Sequence, residues 1–286
     1  MWHAFTVAAD GAILVGEWRG EGVPLVLVHG FGGTRHNWDH VVAALPPDLP
    51  VVRYDLRGFG ESGFDNAVPY SHDADLLALL DALGIDRAVV CGLSLGGGVV
   101  AHFALEHPDR VERLVLVDPA LQGWDWSADW MEAFGACVKA AREGDLPRAR
   151  QLWFESALFA PLREDPAMAA ELRREIDAFA GRQWIRDAHR KVLPDVERLH
   201  RIAVPTLLLM GALVAIPASP ASAAAATVGN GITTTDLSAP GMSPSALASA
   251  LVSPGVSVSN VTFSGADAQA GLLHVVDPAV VSFNDG

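Results

Sequence analysis

One junction constrains this chain more than any other. The apolar run Ala88-Val89-Val90-Cys91 passes directly into Gly92-Leu93-Ser94-Leu95-Gly96, and a helical pattern follows from Gly97 to Glu106. A short, continuous apolar run is the mark of a strand buried on both faces. Turning such a strand into a helix within a few residues needs positions without a Cβ, and here glycines flank the serine. The turn lifts the serine hydroxyl above the end of the sheet, where a substrate can reach it. Outside that context the pentapeptide is a glycine-rich turn with an idle serine. Within it, Ser94 is the candidate nucleophile.

The same alternation runs through the first part of the chain. Phe5-Thr6-Val7 and Ala12-Ile13-Leu14-Val15 read as strands joined at Asp10-Gly11, a hairpin dipeptide. Pro24 to Val28, Val51 to Tyr54 and Leu114 to Val117 are further apolar runs, with helical patterns over Trp38 to Leu45 and Ala74 to Leu83. Strands alternating with helices imply an α/β fold with a mostly parallel sheet and right-handed crossovers. From Gly123 to Leu199 the strand pattern stops. Trp124, Trp126, Trp130, Trp153 and Trp184 recur there among Arg and Glu residues. Each alone reads as ordinary helix packing. As a group set between two strands, for Val204 to Gly211 returns to strand, they suggest a helical lid whose apolar underside faces a pocket.

A serine nucleophile also needs donors for the oxyanion of its tetrahedral intermediate. His29-Gly30-Phe31-Gly32-Gly33 follows the strand ending at Val28. The backbone N–H groups of Phe31 and Leu95 are the candidate oxyanion hole, Leu95 also lying at a helix N-terminus. His29 is read as anchoring its loop by hydrogen bonds rather than as a base. Asp55 to Ser62 reads as a structured turn whose charges pair with one another.

In order and rough spacing, His29 to Gly33, Asp55 to Ser62 and Gly92 to Gly97 resemble the α/β-hydrolase fold family. The likeness is to the branch holding esterases, lactonases and carbon–carbon bond hydrolases. It continues through His107-Pro108-Asp109-Arg110-Val111, Asp118-Pro119, the helical cap and Val204 to Gly211, and so covers residues 1–211. Relatives that open epoxides or displace halide carry aspartate at the position of Ser94, where an alkyl-enzyme ester forms. Serine points to acyl transfer from an ester, lactone or thioester, and leaves carbon–carbon hydrolysis of diketones open.

The resemblance also implies a base and an orienting acid. In the family the acid follows the strand matching Thr206 to Met210, where this chain has Gly211-Ala212-Leu213-Val214-Ala215-Ile216, and no carboxylate comes before Asp236. Asp118, ending the strand beside the nucleophile's own, is the fallback candidate, with a turn-capping role as the alternative. The family's histidine stands near the C-terminus. His274, in Gly271-Leu272-Leu273-His274-Val275-Val276-Asp277-Pro278 after a possible strand at Val256 to Phe263, is the candidate base. The alternative is a histidine in an unrelated sheet segment.

After Arg201 the composition breaks: no Lys, Arg or Glu occurs from Ile202 to Gly286. Arg198 to Arg201, an apolar run through Ile216, and Ala221-Ser222-Ala223 have the layout of a bacterial signal peptide. Pro217 to Thr227 has a linker composition. The remainder, carried by Val258 to Gly265, weakly resembles the start of a bacterial choice-of-anchor domain. The expected organisation is therefore a core over 1–122, a cap over 123–199, a returning core strand over 200–211 and an atypical tail over 212–286. A join near Leu207 to Gly211 would make the tail a fused foreign segment. On that second reading the chain is an impaired hydrolase and a poor enzyme.

Net charge is -14 with no basic run, which argues against nucleic acid and anionic membranes as partners. Thr206 to Ile216 is far short of the ~20 apolar residues of a membrane span. Cys91 and Cys137 offer neither a disulfide framework nor metal spacing and read as structural. Met1-Trp2-His3-Ala4 opens no secretory leader, so a cytoplasmic location is expected. No metal and no cofactor are expected. The expected partner is a small or medium acyl substrate; the oligomeric state is left open.

Overall fold

A computed structural model describes residues 1–63, 65, 68–190 and 192–210, with the backbone of residues 224–228 and 232–236. Strands β1 (His3–Ala9) and β2 (Ala12–Arg19) form the expected hairpin, Ala9 facing Ala12 across Asp10-Gly11. Gly11 has φ 72, the left-handed conformation such a turn demands. The apolar runs then become β3 (Leu25–Val28), β4 (Val51–Tyr54), β5 (Ala88–Leu93), β6 (Val111–Val117) and β7 (Thr206–Met210). Between them lie α1 (Asp39–Ala44), α2 (His72–Ala82) and α3 (Leu95–Glu106).

Among the described residues the sheet order is β1-β2-β4-β3-β5-β6-β7-β9-β8, where β8 is Ala224–Val228 and β9 is Ile232–Asp236. All pairs from β4 to β9 are parallel; the two ends of the sheet are antiparallel. The reading of Pro217 to Thr227 as a linker is corrected in part, since Ala224–Val228 pairs with β9. Ladder bonds are made by the backbone, so an alanine-rich composition does not forbid them. The possible strand at Val256 to Phe263 and the choice-of-anchor resemblance lie outside the described residues.

Successive residues of the central strands point to opposite faces, and both faces are covered. Val26, Val28, Val90, Leu114 and Leu116 join α2, α3 and the cap in one core, whereas Leu25, Leu27, Cys91, Val115 and Val117 join α1 in the other. Helix α3 is buried on every side, from Gly96 through Leu105 without a break. That burial fixes the serine at its N-terminus relative to the sheet.

The region from Gly123 to Leu199 is helical as expected: α4 (Ala128–Arg142), α5 (Leu146–Glu155), α6 (Ala160–Glu164), α7 (Pro166–Ala178) and α8 (Arg182–Ile185). Side-chain caps start the longer ones. Ser127 accepts from Trp130 N–H, Asp145 from Arg148 N–H, and Asp165 from Ala167 and Met168 N–H groups ahead of α7. Pro166 sits where a helix loses nothing by lacking an N–H. No described helix is long and apolar enough to cross a membrane.

Candidate active site

Ser94 stands between β5 and α3 at φ 50, ψ -112, a strained conformation for a residue with a side chain. Three backbone bonds hold it there. Ser94 N–H donates to Val117 O at 2.8 Å, and Ser94 O accepts from Gly98 N–H at 3.0 Å and Ala120 N–H at 2.8 Å. The glycines around it allow the close approach. A Cβ on Gly96 would fall 2.2 Å from Val28 O and 2.6 Å from His29 O.

The loop after β3 comes against this elbow: a Cβ on Gly30 would lie 3.5 Å from Ser94 Cβ. His29 at its root is fully buried. Its Nδ1–H donates to Gly30 O at 2.7 Å while Nε2 accepts from Leu56 N–H at 2.9 Å. Burial holds its pKa down at about 4, against the opposing pull of the Gly30 hydrogen bond and Asp55. A neutral imidazole with both nitrogens engaged is a brace between two loops.

The Asp55–Ser62 turn pairs differently from the sequence expectation. Asp55 and Glu61 both bind Arg35, and Arg57 makes a buried two-pronged pair with Asp75, at 2.8 Å and 2.5 Å. These ion-pair partners lie on neighbouring segments, so the charges tie the turn to Arg35 after β3 and to α2, while within the turn Asp55 accepts from Glu61 N–H at 2.9 Å and from Ser62 Oγ–H at 2.6 Å. Local sequence could not distinguish those options.

Phe31 is held by aromatic rings. Phe59, Phe134, Trp153 and Phe179 meet it edge-on, with centroids 5.4 to 5.7 Å away, and Trp184 tilts against it at 6.1 Å. Four of these come from the cap, so the cap orders the loop that carries the Phe31 N–H. Trp153 and Trp184 are buried against Phe31 rather than lining the cavity beside it, whereas Trp126 is exposed and lies tilted against Trp130. Asn37 adds a polar tie, its Nδ2 donating to Glu175 of α7 at 2.8 Å.

The structure brings Ser94, Leu95 and the Phe31 loop together, and Phe31 and Leu95 line one cavity. Among the described residues, neither the Phe31 nor the Leu95 N–H has a protein acceptor. Asp118 follows Val117, whose carbonyl accepts from Ser94. It sits at φ 42, with its own N–H donating to Leu209 O at 2.9 Å. Among the described residues no histidine hydrogen-bonds Ser94 Oγ. His274, and Val214 at the family's acid position, lie outside the described residues.

A polar cluster that no motif announced lines the same cavity. His72 and Asp73 come from the start of α2, His102 from α3, and Gln183, Asp187 and His189 from the end of the cap. His102 Nδ1 pairs with fully buried Asp195 at 2.7 Å. Burial opposes charge on His102, but Asp195, Asp73 and Glu106 outweigh it and raise its pKa. His72 and His189 are pushed the other way, chiefly by burial. The only available sequence signal was the spacing Leu95, Gly98, Val99, His102, which puts His102 on the elbow's face of α3. Among the described residues no group of three or more His, Cys, Asp or Glu is arranged to hold a metal.

Residues 23–212 match the family described as alpha/beta hydrolase fold. A hydrolase from Pseudomonas aeruginosa PA01 is similar in structure, with TM-score 0.55 and 31% identity, over 74% of this chain and 85% of that one. The enol-lactonase from Burkholderia xenovorans LB400 has TM-score 0.57 and 27% identity, over 72% and 80%. Among curated proteins, the soluble epoxide hydrolase of Corynebacterium sp. (strain C12) is 38% identical over 104 residues, 35% of each chain. This chain spans about a third of the length of the curated relatives it matches.

Proposed function

The chain belongs to the α/β-hydrolase fold family, and from that premise we propose that it is a serine hydrolase acting on a small or medium ester or lactone. The observation that carries the reading is Ser94 held at φ 50 on the strand-to-helix turn, against a loop whose Phe31 N–H has no acceptor among the described residues. Ser94 Oγ attacks the substrate carbonyl. The N–H groups of Phe31 and Leu95 receive the oxyanion, and removing one such donor costs about 10²–10³ in turnover in comparable sites. Collapse of the tetrahedral intermediate expels the alcohol and leaves an acyl-enzyme. Water then attacks the same carbonyl and releases the acid. His274 is the candidate base for both steps. The epoxide-opening relative is no guide to the reaction, because an alkyl-enzyme ester needs an aspartate where this chain has Ser94.

A second reading is favoured by the lack of a histidine bonded to Ser94 Oγ among the described residues, and by Val214 at the family's acid position. On that reading the chain is a hydrolase scaffold without efficient turnover. Hydrolysis of p-nitrophenyl butyrate by the chain and by Ser94→Ala separates the two. Serine-dependent turnover, abolished in Ser94→Ala, is expected; a rate equal to that of the variant would establish the impaired scaffold.

A further inference from the structure

The turn that carries the Phe31 N–H is closed by its own backbone and then gripped from outside. Gly33 N–H donates to Gly30 O at 3.2 Å, across Phe31 and Gly32, and Gly32 has φ 78. A left-handed third residue is what a type II turn requires, and Phe31 is then the second residue, whose N–H takes no part in the closing bond. The side chain of Asn37 lies against the end of this turn. A Cβ on Gly33 would fall 1.8 Å from Asn37 Oδ1, and the same oxygen accepts from Thr34 N–H at 2.9 Å. With Oδ1 occupied by the backbone, Nδ2 is the atom left to face the cap, and it donates to Glu175 Oε2 at 2.8 Å. The same end of α7 sets the Phe179 ring against Phe31 at 5.4 Å. A neighbouring contact of α7, Glu171 with His40 at 3.6 Å, is open to solvent on both sides and contributes little.

We infer that Glu175 is a positioning residue for the oxyanion hole: through Asn37 it fixes the Gly33–Thr34 end of the turn, and with it the direction of the Phe31 N–H, once the cap is seated on the core. Glu175 does not line the cavity beside Ser94, so it acts through Asn37 and not on the substrate. Beyond Thr34 the segment is held to the core independently, Arg35 N–H donating to Asp55 at 2.7 Å. Loss of the Glu175 contact therefore loosens the turn without releasing the whole loop. A missing oxyanion donor costs about 10²–10³ in turnover, and a donor still present but free to swing should cost about tenfold.

The inference rests on the Ser94 reading for its catalytic consequence alone, and the positioning itself is read without turnover. Amide hydrogen exchange is followed by NMR in the full chain, with the β5 amides as internal reference. Exchange at Thr34 is expected to rise about tenfold in Glu175→Leu while β5 is unchanged. Glu175→Gln keeps an acceptor for Asn37 and should restore slow exchange. With p-nitrophenyl butyrate, Glu175→Leu should lower kcat about tenfold and leave KM unchanged, and Glu175→Gln should recover kcat. If Glu175→Leu does not fold, Asn37→Asp breaks the same bond by setting two carboxylates against each other. The double variant Asn37→Asp, Glu175→Gln then exchanges donor and acceptor and should recover the parent values. Unchanged exchange at Thr34, an equal rise in β5, a kcat that survives loosening of the turn, or a loss that the conservative or exchanged variants fail to recover overturns the proposal. A parent chain that loosens at Thr34 in Glu175→Leu yet never hydrolyses the ester strikes the Ser94 reading and leaves the positioning standing. Serine-dependent turnover with exchange unchanged does the reverse.

Discussion

A Cβ on Gly92 would lie 2.1 Å from the Gly96 carbonyl oxygen, so the two glycines of the elbow are in direct backbone contact across the serine they flank. Gly96 is in turn pressed against Val28 O and His29 O. None of these backbone atoms can yield without moving β3. Gly96→Ala is therefore expected to destabilise by about 3 kcal/mol or more, the upper range for overpacking. The urea midpoint should fall accordingly. Gly135→Ala is the control, in exposed α4 with nothing within 4 Å of its added methyl. It should gain about 0.5–1 kcal/mol from helix propensity.

If His274 is the base, His274→Ala should reduce p-nitrophenyl ester turnover to the level of Ser94→Ala. Losing base or nucleophile in a serine triad costs on the order of 10⁶. A His274→Ala variant as active as the parent chain would remove the assignment and direct attention to the cavity histidines.

Asp118 directly follows β6 beside the elbow, and asparagine tolerates its φ of 42 as readily as aspartate does. Asp118→Asn should thus fold and hydrolyse p-nitrophenyl butyrate at an undiminished rate, as a turn-capping role requires. A drop of about 10⁴ would instead make it the orienting acid, the cost of losing that member of a triad.

His29 is buried neutral with a pKa of about 4, below its ordinary 6.5. The unfolded chain takes up this proton as pH falls through 6.5, and the folded chain resists until about 4. Stability therefore declines as pH drops across that window, by on the order of 3 kcal/mol from His29 alone. Burial of His72 acts in the same direction. Urea midpoints measured from pH 7 to pH 4 should show the decline, and His29→Gln should flatten it while lowering stability at pH 7.

Asp195, fully buried where the chain leaves the cap, accepts from His102 of α3 at 2.7 Å and from Arg198 at 2.9 Å. Asp195→Ala removes the shared acceptor of His102 and Arg198 and should cost about 1–3 kcal/mol. The pair raises the His102 pKa, so its contribution is complete below pH 6.5 and is lost as pH rises through the raised value. The stability gap between the parent chain and Asp195→Ala should narrow over that rise.

What the sequence by itself determined is local in origin. An apolar strand, a glycine-flanked serine and a following helix can be joined in few ways, so Ser94 at positive φ followed from covalent geometry and sterics. The alternation of strands and helices determined the parallel sheet, and the five tryptophans between two strands marked the cap. The tertiary structure decided whatever depends on which distant segments meet. Arg35 and Asp75, rather than neighbours in the turn, neutralise Asp55, Glu61 and Arg57. Phe31 gains its aromatic cage from the cap. His72, His102 and Gln183, 111 residues apart at their extremes, meet in one cavity only because α2, α3 and the end of the cap converge there. Isolated polar residues on separate helices have no periodicity or spacing to reveal them, and their burial is known only once the chain is folded.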